Sequence, residues 1–300
     1  MTARRSLIAA GLIGLACLVA CQSGSDTTTT LTLELDSADP DIQQRAAEVI
    51  RGRLEQRGVR GLVVDGEGSD RIVVSFRGDR DAKRLGALVC RTATLEFRFV
   101  RPLEEWLPTL EKLDTVCRVR DPEGEPFTTL IAPATTFEQV MSVPAPHLDR
   151  VRAMIADPQV QRAVGAGVVQ VSIEPENPSA AEPAHSLYLL DERPILTGQD
   201  IESATASPAT NRPGSWVINI ELGQLGAQTF ARATGENVGR NLAICLDGEV
   251  VSAPRINSAI PGGKAVIEGM FTRDEASDLA FLLNAGGLPA TIKVIDVQVD

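Results

Sequence analysis

The sequence predicts an α+β fold: a ferredoxin-like βαββαβ base over residues 31–101, followed by further α+β hairpins and helices. Three observations carry this. Short runs such as Leu31-Thr32-Leu33-Glu34-Leu35 alternate apolar and polar residues, the period of a half-buried strand. Capped helical segments separate the runs, the clearest opening at Thr272 with Glu275 three residues on. Over residues 31–101 strands and helices follow the order β, α, β, β, α, β, that of a split βαβ unit.

The base reads in order. Leu31, Leu33 and Leu35 form the first strand. Asp39-Pro40 starts a helix, with proline in the first turn where its missing N–H costs nothing. Ile42, Ala46, Val49, Ile50 and Leu54 give that helix its buried face, and Gly58 ends it. Leu62-Val63-Val64 and Ile72, Val74, Phe76 are two strands around a turn at 66–70. A short helix carries Ala82, Leu85, Leu88 and Val89. Leu95, Phe97 and Phe99 alternate with Glu96 and Arg98 on the strand expected to close the base.

Residues 102–184 give the weakest pattern and are read as an insertion and linker. Trp106, Leu110 and Leu113 suggest a helix near Pro108. Pro146 suits the first turn of a helix with Leu148, Val151, Met154 and Ile155. Val168 to Ile173 resembles a strand, and Glu174 to Pro183 holds three prolines.

A second α+β unit is expected over 185–270. Leu187 to Leu190 is a strand, as is Trp216 to Leu222, and Leu225 to Asn237 is a helix around Phe230. Asp247-Gly248 between two β-prone runs predicts a type I′ turn, in which both central residues need positive φ. Pro261-Gly262-Gly263 is a second turn before Ala265-Val266-Ile267. Residues 271–300 hold the capped helix, with Ala276, Leu279, Ala280 and Leu283 on one face, and a last strand from Thr291 to Val297. Gly286 and Gly287 can end that helix in the left-handed conformation.

This last third resembles the large extracytoplasmic domain of SecD, a subunit of the bacterial SecDF export machinery. The resemblance rests on Asp247-Gly248, Ser252-Ala253-Pro254, Ile256, Ile260, Gly263, Ile267, Gly269, Glu275-Ala276, Leu279-Ala280, Leu283 and Gly287 to Ala290. Upstream, Leu196 to Ile201, Phe230, Thr234, Asn237, Gly239 and Arg240 look similar too. In the base the matching residues are Ile50 to Leu54, Gly58-Val59, Asp70 to Val74 and Leu95 to Arg98. The resemblance implies a SecD-type head over 185–270 on its base, with the helix and strand of 271–300 returning to the base, and a place in protein export. SecD continues into membrane helices thought to couple proton flow to export. No long apolar run follows the leader here, so a proton pathway is not expected of this chain alone.

Residues 1–20 read as a signal peptide, with Arg4 and Arg5 before an apolar core from Leu7 to Leu15 that is too short to span a bilayer. Leu18-Val19-Ala20-Cys21 resembles a bacterial lipobox, which implies cleavage before Cys21 and lipidation of its thiol. Residues 21–30 read as a flexible polar tether. Gln22 after Cys21 leans towards the outer membrane in a diderm cell. The expected location is thus the extracytoplasmic face of a bacterial membrane, held by lipid.

The net charge of −11 argues against nucleic acid as a partner. His147 and His185 have no metal-ligand spacing, and no nucleophile elbow, P-loop or zinc-protease helix occurs. No cofactor, metal or catalytic residue is expected. Of the cysteines left after Cys17 and Cys21, Cys90 and Cys117 form a candidate disulfide, with free thiols as the alternative, and Cys245 reads as a small core residue. The functional expectation is a non-enzymatic, lipid-anchored module that binds polypeptide or an export complex. The alternative is a structural envelope lipoprotein. For polypeptide binding the candidate residues are Ser252, Ala253, Pro254, Arg255 and Ile256, in hairpins that either offer a strand edge or are fully paired.

Overall fold

The computed structural model describes residues 27–66, 70–78, 81–121, 123–133, 140–175, 179–210 and 212–299. The leader, Cys21 and most of the tether lie outside them.

Strand β1 (Thr28–Leu35) starts earlier than the sequence suggests. The tether reading included Thr28 to Thr30, yet Thr29 is wholly buried, and its Oγ1 donates to the Gly78 carbonyl at 2.6 Å. Threonine suits a pleated strand, and polarity alone concealed this. Helix α1 (Pro40–Gln56) has Asp39 as N-cap, accepting from Asp41 N at 2.9 Å. Strands β2 (Arg60–Asp65) and β3 (Arg71–Arg77) precede helix α2 (Ala82–Val89). Leu31, Leu33 and Leu35 meet Ala46, Ile50 and Leu54 across the sheet–helix interface. Each such buried leucine or isoleucine contributes about 1.5–3 kcal/mol.

Strand β4 (Leu95–Phe99) corrects the expected base. It pairs along its length with β12, described below, and not with β1 or β3. Alternation told which side chains share a face; it could not name the neighbouring strand.

The middle of the chain is folded. It holds helix α3 (Trp106–Arg120), strands β5 (Ala132–Pro133) and β6 (Met141–Pro144), and helices α4 (Leu148–Ile155) and α5 (Pro158–Val164). Strands β7 (Gly167–Pro175) and β8 (Ala184–Asp191) form the longest hairpin. Trp106, Leu113, Phe127 and Val151 pack on Val169, Val171, Leu187 and Leu189. The region read as insertion and linker is therefore largely a helical layer on one face of a sheet.

The rest comprises β9 (Leu196–Thr197), β10 (Ile201–Pro208), β11 (Trp216–Leu222), helix α6 (Gln224–Glu236), β12 (Leu242–Leu246), β13 (Glu249–Ser252), β14 (Lys264–Phe271), helix α7 (Arg273–Ala285) and β15 (Ile292–Val299). Asp247 and Gly248 both take positive φ, +51° and +84°, in the β12–β13 turn. Thr272 and Glu275 form the reciprocal capping box of α7.

Three sheets result. The base is ordered β15-β1-β3-β2, the large sheet β5-β6-β8-β7-β13-β12-β4-β9, and the small sheet β10-β11-β14. The place beside β1 belongs to β15, with Leu31 opposite Val297 and Leu35 opposite Ile292. Leu95, Phe97, Phe99, Leu242 and Ile244 face Ile218, Ile220 and Ile267 of the small sheet, with Phe230, Leu279 and Leu283 filling the same core. Helix α7 thus stays mainly with the head. It touches the base through Asp278, 2.6 Å from Arg57, whose guanidinium also lies 4.1 Å over the Phe281 ring.

Where the chain crosses between base and head, Arg53 is wholly buried. Its Nη1 donates to the carbonyls of Val89 and Arg91, at 2.7 and 2.6 Å, and its Nη2 to that of Gly286 at 2.7 Å. The carbonyl ends of α2 and α7 converge there, and the partial negative charge of two helix C-termini favours a cation. Burial still lowers its pKa to about 10.

Candidate functional site

The small sheet has two edges, and the chain treats them differently. At β10 the side chain of Asn284 closes the edge. Its Oδ1 accepts from Ala204 N and its Nδ2 donates to Ala204 O, both at 2.8 Å. At β14 no strand among the described residues pairs with the outer edge.

The local sequence builds that open edge. Gly263 has φ +60°, and a Cβ there would lie 2.5 Å from the Ala227 Cβ, so only glycine fits the turn against α6. Leu222 N donates to Gly263 O at 2.8 Å, which sets the phase of the antiparallel ladder with β11. Ala265 opposite Ile220 and Ile267 opposite Ile218 continue that phase. The ladder stays in step to Ile267 and shifts register beyond it, so by alternation the N–H and C=O of Lys264 and Val266, and the N–H of Glu268, point away from β11. All three residues are exposed; Val266 is 43% accessible and Met270 54%. Pairing capacity ends at Met270, whose N–H donates to the Glu174 carboxylate. Lys264 binds Glu221 at 2.8 Å. Their mutual hydrogen bond raises the lysine pKa and lowers the glutamate's.

Ser252 to Ile256, the stretch chosen from sequence, offers no comparable edge. Pro254 O accepts from Leu242 N at 2.9 Å, and Ala253 O accepts from Asn241 Nδ2 at 3.0 Å. Ile256 N donates to Arg240 O, and Ile256 O accepts from Gly239 N, both at 2.8 Å. Ile256 is in the head core, Ser252 and Ala253 are half-buried, and of the five only Pro254 and Arg255 are exposed. The hairpins supplied an edge a few residues later, at β14. The signal was present in the glycine turn followed by alternating Lys264, Val266 and Glu268.

The candidate Cys90–Cys117 bridge is also corrected. Both are free thiols in different cores, Cys90 against the base and Cys117 under α3 and α5. Cys117 instead lines a cavity of about 240 Å³ with Met154, Val160, Arg120 and Asp157, the last two ion-paired at 2.6 Å. Burial pushes the Cys90 thiol to about 11 and that of Cys245 to about 12, and it raises Cys117 as well, so none is held as a thiolate nucleophile. His185 is buried, with Nδ1 2.9 Å from the Ser172 carbonyl. Among the described residues no group of His, Cys, Asp and Glu could hold a metal ion.

Comparison with known families decides the kinship. Residues 43–102 match the model for the N-terminal part of the P1 domain of protein translocase subunit SecDF, and residues 170–290 match that of the SecDF P1 head subdomain. The chain carries a SecD-type P1 domain, both parts in order. It is similar to protein translocase subunit SecD of Desulfurispirillum indicum, 33% identical over 84% of this chain and 39% of that protein. SecD of Syntrophobacter fumaroxidans is 29% identical over 93% of this chain and 44% of its own length. The chain thus spans about two fifths of these curated relatives. A solved structure described as a membrane component SecDF that enhances protein export superposes with a TM-score of 0.55. It is 26% identical and covers 90% of this chain and 99% of its own. The fold is that of a SecD P1 domain, α+β with base and head. The head match begins within β7, upstream of the resemblance visible from sequence. No helix among the described residues is long and apolar enough to cross a membrane.

Proposed function

We propose that this chain is an extracytoplasmic, lipid-anchored SecD-type module that assists protein export by holding extended polypeptide, without enzymatic turnover. The open edge of β14 carries the reading. An extended chain added there makes main-chain hydrogen bonds whatever its sequence, and the exposed Val266 and Met270 add apolar contact. Binding of that kind suits a partner that meets many different clients. Kinship with SecD supports placing the module beside the Sec export machinery and outside the cytoplasm. The lipobox-like Leu18 to Cys21 supports membrane attachment through Cys21.

A photo-crosslinking residue placed at Val266 in living cells tests this. Adducts with secreted polypeptides in transit are expected, disappearing when export is blocked. A protein that crosslinks no exported chain there, while folded and correctly located, would defeat the reading.

A further inference from the structure

We propose that β14 is also a self-association edge, through which two copies of this chain pair antiparallel about a two-fold axis at Val266. The inference does not rest on the export reading.

The argument starts from an unpaired charge. Glu268 is exposed and makes no ion pair or hydrogen bond among the described residues. Lys264 stands on the same face of the same strand, but four residues along a strand is about 13 Å, too far for the two to meet. A second copy laid antiparallel on the edge removes that distance. With Val266 opposite Val266 of the second copy, Lys264 falls opposite the second copy's Glu268, and Glu268 opposite its Lys264. The edge is self-complementary, as a two-fold interface requires.

The backbone agrees with this register. Lys264 and Val266 turn both N–H and C=O outward and Glu268, just past the last regular pair at Ile267, its N–H, and these are the residues brought face to face. The pairing window is bounded on both sides. The Pro261-Gly262-Gly263 turn closes one end, and the bond from Met270 N to Glu174 closes the other. Sliding the strands by two residues would set Val266 against charge and leave both ion pairs unmade, so the register is specified. Lys264 already binds Glu221, but both side chains are exposed, at 73% and 54%, so the lysine can turn to a second carboxylate at little cost.

Charge exchange tests this in the full chain purified in detergent, read by sedimentation. Wild type should dimerise reversibly. Lys264→Glu and Glu268→Lys should each weaken dimerisation by about tenfold or more, since two cross-strand pairs turn repulsive. Mixing these two variants should restore association as a heterodimer, and the double exchange K264E/E268K should restore it within one chain. Val266→Cys should form an intermolecular disulfide in native membranes under mild oxidation, because directly opposed strand residues lie about 5.5 Å apart. All positions are exposed, and unchanged circular dichroism is expected throughout. Wild type monomeric up to about 0.5 mM, or single exchanges that leave association unchanged, would overturn the proposal. Crosslinks from Val266 to exported polypeptide with none between copies would also overturn it, while leaving the export reading intact.

Discussion

Asn284 and Ala204 exchange two hydrogen bonds of 2.8 Å, so one side-chain amide occupies the outward-facing backbone of an edge strand as a neighbouring strand would. Helix α7 thereby closes the β10 edge of the small sheet and leaves β14 as its open edge. Asn284→Ala should cost about 1 kcal/mol, because the freed groups can reach water. It should also raise aggregation on heating, since a second open edge appears. Urea denaturation with light scattering measures both; wild-type behaviour in both would remove the capping role.

Arg53 should be the costliest single position at the junction. Arg53→Met leaves the carbonyls of Val89, Arg91 and Gly286 without their donor in a buried site, for a loss of about 3 kcal/mol or more. Arg53→Lys should fall between, since an ammonium lacks the planar fork that reaches both crossings. Denaturant midpoints of the three proteins give the order; a methionine variant as stable as wild type would contradict it.

Alkaline stability should depend on Cys245. Burial raises its folded pKa to about 12, above the ordinary thiol value of 9.0. The unfolded chain therefore loses its proton first. Stability from this group is full below pH 9 and falls as pH rises towards 12. Cys245→Ala should flatten the decline between pH 9 and 11, whatever the variant's absolute stability. Equal slopes for the two proteins would refute this assignment.

Gly248→Val should destabilise more than Glu249→Val. Gly248 holds φ +84°, where a β-branched residue is strained by about 1–2 kcal/mol. Glu249 has ordinary strand geometry and loses only its ion pair with Arg152, 2.7 Å away and partly exposed. Melting temperatures should separate the two, with the glycine variant lower.

Cells fed labelled fatty acid should label the wild-type protein and not Cys21→Ser, while the purified variant keeps its melting temperature. An unlabelled wild type would exclude the lipid anchor.

Local patterns told much of this in advance. The Asp247-Gly248 turn, the Thr272–Glu275 box, the Asp39-Pro40 helix start and the alternating faces of Leu31 to Leu35 all follow from interactions within a few residues. The ordered residues of the last third were enough to find the SecD kinship. By itself the sequence settled the type and apolar face of its strongly patterned segments, such as Leu31 to Leu35 and Arg273 to Ala285, but not those of residues 102–184 or strand β10. Only the tertiary structure decided strand partners. Leu95 to Phe99 has a pattern that would suit either sheet, and β15, nearly two hundred residues later, takes the place beside β1. The same holds for Arg53, whose acceptors at Val89, Arg91 and Gly286 come from distant segments, and for the choice of β14 over Ser252 to Ile256 as the open edge. Alternation records only that a strand has a buried and a wet face; which neighbour supplies its hydrogen bonds is fixed by long-range packing, because every strand offers the same backbone donors and acceptors.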